Sequence, residues 1–267
     1  MPSWNIHTGL VERLASGNDL ASLGIRDLNA YHFGNLVPDV YVGYMVPDVS
    51  HTLLYTDTHH TLPSHIPVAD HQEFWDRWVE PFVETGGVDD VTLGAWAHLL
   101  ADHHYNERVN AFLAEHNVPS GEQTRIRKQG DFDRFGHGLG ITLTVDPNER
   151  LKAQAARFPE YQIEGADVEA ACRAHAKLVE ASREVPDGAG YSLLSEELIG
   201  DVFDRIDRDT RERLSGYAAA VRAAGHDPMA SPPERPLDRP SLRVGPEPAV
   251  LLAQDWQAAA AAAQLAG

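Results

Sequence analysis

The chain has 267 residues, 43% of them hydrophobic, and a formal net charge of -18 from 40 acidic against 22 basic side chains. That length can bury a full core, and a single cysteine, Cys172, excludes an intrachain disulfide or a thiolate metal cluster. So acidic a balance argues against duplex nucleic acid as a partner, because such affinity comes from Lys and Arg on phosphates; a phosphate ligand here needs a cation to carry the positive charge.

In chain order, apolar spacing of i, i+3, i+4 recurs and strand alternation is missing over long windows, which predicts an all-α, multi-helix bundle. Thr8 is placed to cap a first helix through "GLVERLA", and "IRDLNAYHFGNLV" reads as a second. Asp70 opens a third, "HQEFWDRWVEPFVE", with Phe74, Trp78 and Phe82 on its apolar side. After Gly86 and Gly87, Asp89 or Asp90 caps the longest helix, about 25 residues, ended by Asn117 to Pro119. Ser120, with Gln123 three residues on, is the capping box of a helix through Leu139. Further helices follow Pro147 in "VEAACRAHAKLVEA" and "ELIGDVFDRIDRDTRERLSGYAAAVRAA".

Residues 1–225 are expected as one helical domain, 226–248 as a Pro-rich strap, and 249–267 as an Ala-rich helix that docks on the domain or on a second subunit, a route to a homo-oligomer. No stretch approaches about 18 uninterrupted apolar residues, and the start has no signal-peptide pattern. A cytoplasmic protein without integral membrane association is the expectation.

Twelve of the 14 histidines lie between His7 and His137, so histidine chemistry belongs to the first half. Within "GAWAHLLADHHYNERV", His98 and Asp102 are four residues apart, hence about 40° apart on a helix, and can grip one cation. The plain alternative is a hydrogen-bonded His-Asp pair. His103 and His104 sit about 140° and 240° from His98 and point elsewhere. His103 and Glu107 read as a surface pair on another face. Asp133 and His137 form a third i, i+4 pair, close to Arg125, Arg127 and Lys128, the basic patch best suited to a phosphate. Trp75, Trp78 and Trp96 read as core. The tetrapeptide "VPDV" occurs at 37–40 and again at 46–49.

Four segments in order, "HTGL", "YHFGNLVPDVYVGYMVPDV", "DTHHTL" and "LGAWAHLLADHHYN", resemble the successive motifs of the zinc-dependent phospholipase C family, a superfamily that includes zinc-dependent single-strand nucleases. The resemblance spans about residues 7 to 140. It implies a metal site between core helices, with Asp39, His59, His98 and Asp102 as ligands and His7 as an N-terminal histidine ligand. The family's aspartate follows Gly-Asn, which chooses Asp39 and leaves Asp48 as a turn residue. His59 directly follows Thr58, as the family histidine does, and His60 is held in reserve.

The chain departs from that pattern at its start, where Trp4 is internal, and at the later ligands, where position 108 is Arg and Val179 follows His175 by four. Asp131, Asp133 and His137 are the substitutes for those later ligands. The resemblance implies zinc, one to two ions, and hydrolysis of a small phosphate ester, with Asp39 orienting or deprotonating the water and Arg127 or Lys128 stabilising the oxyanion. Two alternatives stand beside it: an HD-type phosphohydrolase, although only reversed "DHH" and "DH" orders occur, and a non-catalytic, metal-stabilised helical interaction module.

Overall fold

The computed structural model describes residues 3–17, 20–183 and 190–245, and within them the chain forms ten helices and no strand. In order these are α1 (Trp4–Ser16), α2 (Leu28–Gly34), α3 (Val37–Val40), α4 (Tyr55–Thr58), α5 (His71–Trp78), α6 (Asp90–Glu115), α7 (Glu122–Gly138), α8 (Glu149–Ala155), α9 (Gly165–Ala181) and α10 (Glu196–Ala223). No helix is long and apolar enough to cross a membrane among the described residues. The Ala-rich segment expected at 249–267 lies outside them.

Helix α6 is the axis. Its first thirteen residues, 90–102, are buried on every side, and the others pack around it. A helix buried all round carries no polar face, so His98 and Asp102 within that stretch must find partners inside the protein. Small residues let the neighbours come close. A Cβ on Gly94 would stand 2.0 Å from the Tyr31 carbonyl oxygen and 2.8 Å from the Asn35 nitrogen, and one on Gly34 would stand 2.2 Å from the Val91 carbonyl oxygen. Helices α2 and α6 therefore touch backbone to backbone, which only glycine at both positions permits.

Several helix ends differ from the expectations. The first helix begins at Trp4, so Thr8 lies inside it and caps nothing; its hydroxyl instead meets His175 Nε2 at 2.8 Å. The third ends at Trp78, and 80–85 winds on as a 3-10 turn, because Pro81 lacks the N–H that an α-helix needs there. Asp89, not Asp90, caps α6 by accepting from the Thr92 amide at 2.8 Å, while Asp90 pairs with Arg26. Gly121 occupies the cap position of α7 without a side-chain bond, so the Ser120 capping box does not form. Helix α8 was not expected, yet Asn148 after Pro147 caps it through the Leu151 amide.

The two "VPDV" copies have opposite fates. The first is the single turn α3, with Asp39 fully buried; the second is an exposed turn where Asp48 takes φ 61°. The strap over 226–245 lies along the body. Arg235 covers the Phe82 ring at 4.1 Å, Arg239 donates to the Phe158 and Ala156 carbonyls, and Val244 pairs with Leu53 in one antiparallel bridge.

Candidate metal centre

Four elements deliver five side chains to one point. His7 comes from α1, Asp39 from α3, His59 from the residue that ends α4, and His98 with Asp102 from α6. All five are 0% exposed. Asp102 Oδ1 lies 3.4 Å from His7 Nε2 and Oδ2 lies 3.4 Å from His59 Nε2; Asp39 Oδ1 is 3.5 Å from His59 Nε2. His98 Nε2 stands 3.9 Å from both Asp39 Oδ2 and Asp102 Oδ1, and 3.3 Å from His59 Nε2. The His7 and His98 rings stack at 4.0 Å with 3° between their planes.

These atoms form two overlapping groups, each able to hold one metal ion: His7, His98 and Asp102, and Asp39, His59 and His98. His98 belongs to both, but its Nδ1 faces the Asn35 carbonyl at 2.8 Å, leaving only Nε2 to bind an ion. One neutral imidazole nitrogen serves one ion at a time. Were a second ion present, the carboxylates and His59 would have to hold it.

The donor set fits a cation. Both His7 nitrogens, Asp39 Oδ1 and Asp102 Oδ1 are buried without a hydrogen-bond partner. Each such orphan costs about 1–3 kcal/mol, and three of them, His7 Nε2, Asp39 Oδ1 and Asp102 Oδ1, face the cluster, where a divalent ion would satisfy them; His7 Nδ1 lies on the far side of its ring. Burial and the neighbouring Asp102 carboxylate push the Asp39 pKa well up; burial also opposes the Asp102 charge, but His98, His7 and His59 outweigh it and hold Asp102 low. Burial holds His59 at about 3 and His98 well below its usual value, so both present lone pairs at neutral pH.

A surrounding layer of donors aims the ligands. Trp4 Nε1 donates to Asp39 Oδ2 at 3.0 Å, the Tyr55 hydroxyl donates to Asp102 Oδ2 at 3.1 Å, and Thr58 Oγ1 lies 2.9 Å from His59 Nδ1. The Tyr55 ring also stacks on His59 at 3.8 Å, and burial raises its pKa, so the phenol stays a donor. Sequence reading missed Trp4 and Tyr55 in this role. The usable signal was helical spacing: Trp4 precedes His7 by three and Tyr55 precedes His59 by four.

Other expected residues go elsewhere. His60, at φ 49°, turns away from His59 and pairs with Glu160 at 2.7 Å. Asp131, Asp133 and His137 belong to neither metal group. Asp131 is committed to the backbone, accepting from the amides of Ser192, Leu193 and Leu194 at 2.7–2.8 Å, and Asp133 accepts from Gln129 at 3.2 Å. Arg127 is exposed and donates to the Ser192 carbonyl, whereas Lys128 is buried, with Nζ 3.5 Å from Asn106 Oδ1, one turn beyond Asp102. The basic patch is thus divided by the helix: Arg127 faces out and Lys128 faces in.

Asp131→Ala removes the acceptor of three amides, so a loss of roughly 2–4 kcal/mol in chemical denaturation is expected, with metal uptake unchanged. A metal loss as large as that of a central ligand would return Asp131 to the site.

Behind α1, Thr8 Oγ1 also lies 3.4 Å from His32 Nε2, and the His32 and His175 rings meet edge to face. Burial holds His175 at about 4 and His32 well below its usual value. Below about pH 6.5 the unfolded chain takes up protons that these folded imidazoles refuse, so stability falls as pH drops toward 4, by roughly 1.4 kcal/mol per unit for each. Urea midpoints across that range check the slope, and His175→Gln should flatten it by about one proton.

No protein-family model, curated protein or solved structure matches this chain.

Proposed function

We propose that the chain is a metal-dependent hydrolase of small phosphate esters, of the zinc-dependent phospholipase C type, with zinc held by His7, Asp39, His59, His98 and Asp102. The observation that carries this reading is the convergence of those five residues, with three unpartnered atoms facing the cluster, from segments up to 95 positions apart. The order "HTGL", "GNLVPD", "DTHH", "HLLAD" along the chain supports it.

A divalent ion bound here supplies a Lewis acid for a phosphoryl oxygen and lowers the pKa of a water enough for attack at neutral pH. The side chains do the rest. Asp39, steadied by Trp4 through Oδ2, is the carboxylate at the edge of the ion that orients the water or takes its proton. Asp102, set between His7 and His59, is the carboxylate placed to serve both ligand groups. Lys128 is the cation that meets charge developing on the phosphoryl oxygens, since Asn106 holds it on the Asp102 side of α7. Arg127, on the outer face, takes no part.

Elemental analysis of purified protein should give at least one ion per chain, zinc foremost. A phosphomonoester and phosphodiester screen should find hydrolysis that His98→Ala reduces by more than about 100-fold. A purified protein that holds no metal and takes up none when zinc is added sinks the proposal. One observation favours a second reading: all five ligand residues are sealed from solvent, as in structural sites. A metal-stabilised helical module would bind the ion and unfold on chelation, yet turn over nothing in the screen.

A further inference from the structure

All five ligand residues are sealed from solvent, yet a site that hydrolyses a small ester has to admit it, so its cover decides entry. Of Trp4, Tyr55 and Thr58, the side chains that orient the ligands, only Tyr55 is partly exposed. Its hydroxyl donates to Asp102 and its ring lies on His59, so solvent stands one side chain away from both ligands. Tyr55 begins α4, a single turn and the only α-helix among residues 41–70. A segment with so little repetitive hydrogen bonding opens locally more readily than the long helices beneath it.

The end of the strap fastens this segment from outside. The Arg243 amide and Nε donate to the Asp57 carboxylate at 2.8–3.1 Å, and its Nη2 donates to Asp57 Oδ1 and Thr56 Oγ1. The Leu54 amide donates to the Arg243 carbonyl at 3.1 Å, the Gly245 amide donates to the Thr52 carbonyl at 3.0 Å, and Val244 bridges Leu53. A Cβ on Gly245 would stand 2.6 Å from the Leu53 carbonyl oxygen, so the two backbones lie this close only with glycine there. Thr52 to Asp57 are thus held just before and within the turn that carries Tyr55. The Arg243 side chain is 68% exposed, and a surface pair in water is weak enough to release without unfolding the core.

We propose that residues 243–245 are a latch on the entrance to the central cluster. When they let go of 52–57, α4 swings out with Tyr55, and the metal ion and a small phosphate ester enter past His59. What enters rests on the hydrolase reading above; the latch rests on the hydrogen bonds between the strap and 52–57. A latch acts on rates. Releasing it speeds entry and exit alike and leaves affinity unchanged, whereas a contact that only held His59 in place would change affinity.

The test labels the full chain, stripped of metal, with diethyl pyrocarbonate and maps the modified imidazoles by mass spectrometry. In Arg243→Ala, and separately in Gly245→Ala, His59 and His98 should react about tenfold faster than in the wild type, while His175, buried behind α1, keeps its rate. Arg235→Ala, which frees the strap from Phe82 instead, should leave all three rates alone. Equal gains at His59, His98 and His175, which global unfolding would give, or no gain at His59, overturn the latch. Zinc then separates this result from the hydrolase reading: uptake and loss to a chelator should both quicken about tenfold in the two latch variants at an unchanged dissociation constant. If the wild type takes up no zinc, the hydrolase reading fails and the labelling still decides the latch. If zinc binds but the labelling rates do not move, the latch fails and that reading stands.

Discussion

Asp102→Asn is expected to weaken metal binding by more than about 100-fold, because even residues that only orient a ligand contribute 10–100-fold and Asp102 touches both His7 and His59. Thermal unfolding separates this from simple damage. In the wild type, zinc at about 100 times its dissociation constant adds about 2.7 kcal/mol, a rise of roughly 5–10 °C for a chain of this size. The asparagine variant should lose that rise. Without metal it should unfold somewhat earlier than the wild type, because, against burial, His98, His7 and His59 hold Asp102 low and so favour its charge in the folded protein, and the neutral amide gives that up. It keeps a carbonyl to accept from Tyr55, which limits the loss. If metal raises the melting temperature of the variant as much as that of the wild type, the cluster is not the metal site. If metal shifts neither protein, the cluster binds none.

Gly94→Ala should be the most damaging single methyl in the protein. Its Cβ would meet the Tyr31 carbonyl oxygen at 2.0 Å and the Gly34 Cα at 2.9 Å, and neither belongs to a flexible side chain that can swing aside. Helices α2 and α6 must separate, at a cost of roughly 3 kcal/mol after the small gain in helix propensity, or a fall of roughly 6–12 °C in melting temperature. Separation also draws the Asn35 carbonyl away from His98 Nδ1, so metal affinity should fall with stability. Gly130→Ala in α7 is the control: nothing lies within 4 Å of its Cβ, and a gain of about 0.5–1 kcal/mol is expected. Equal effects at the two glycines would mean that the close crossing plays no part.

The parts of this protein that depend on near neighbours were legible in the sequence. The length and cap of α6 and the shared face of His98 and Asp102 follow from 3.6-residue periodicity and from which residues can donate or accept at a helix end, whereas the expected third helix ran through Pro81, where the structure breaks it. The choice of Asp39 over Asp48 came from the resemblance, whose aspartate follows Gly-Asn, and agrees with their burial, one sealed in the core and one in an exposed turn. Placement of α8 was also within reach, since Asn148 after Pro147 is a start signal.

Asp131 shows where that reading stops. Its spacing with nearby acids and His137 is as suggestive as that of His98 and Asp102, yet its partners are amides 61 to 63 residues away. Lys128 and Arg127 are neighbours in sequence with equal claims on a phosphate, and only the packing of α7 decided which of them faces Asn106. His103 reads as a surface residue paired with Glu107 and His104 only as pointing away from His98, whereas the start of α5 brings His71 against both.

The sequence by itself determined an all-helical chain, the residue types able to ligate a metal, and the helical phase that joins His98 to Asp102. The tertiary structure alone decided that His7, Asp39 and His59 meet that pair, that Trp4 and Tyr55 orient the carboxylates, and that Asp131 does not join them. Helical phase is set by bonds spanning four residues, whereas those encounters depend on how closely α2 and α6 approach, and two glycines 60 positions apart govern that distance.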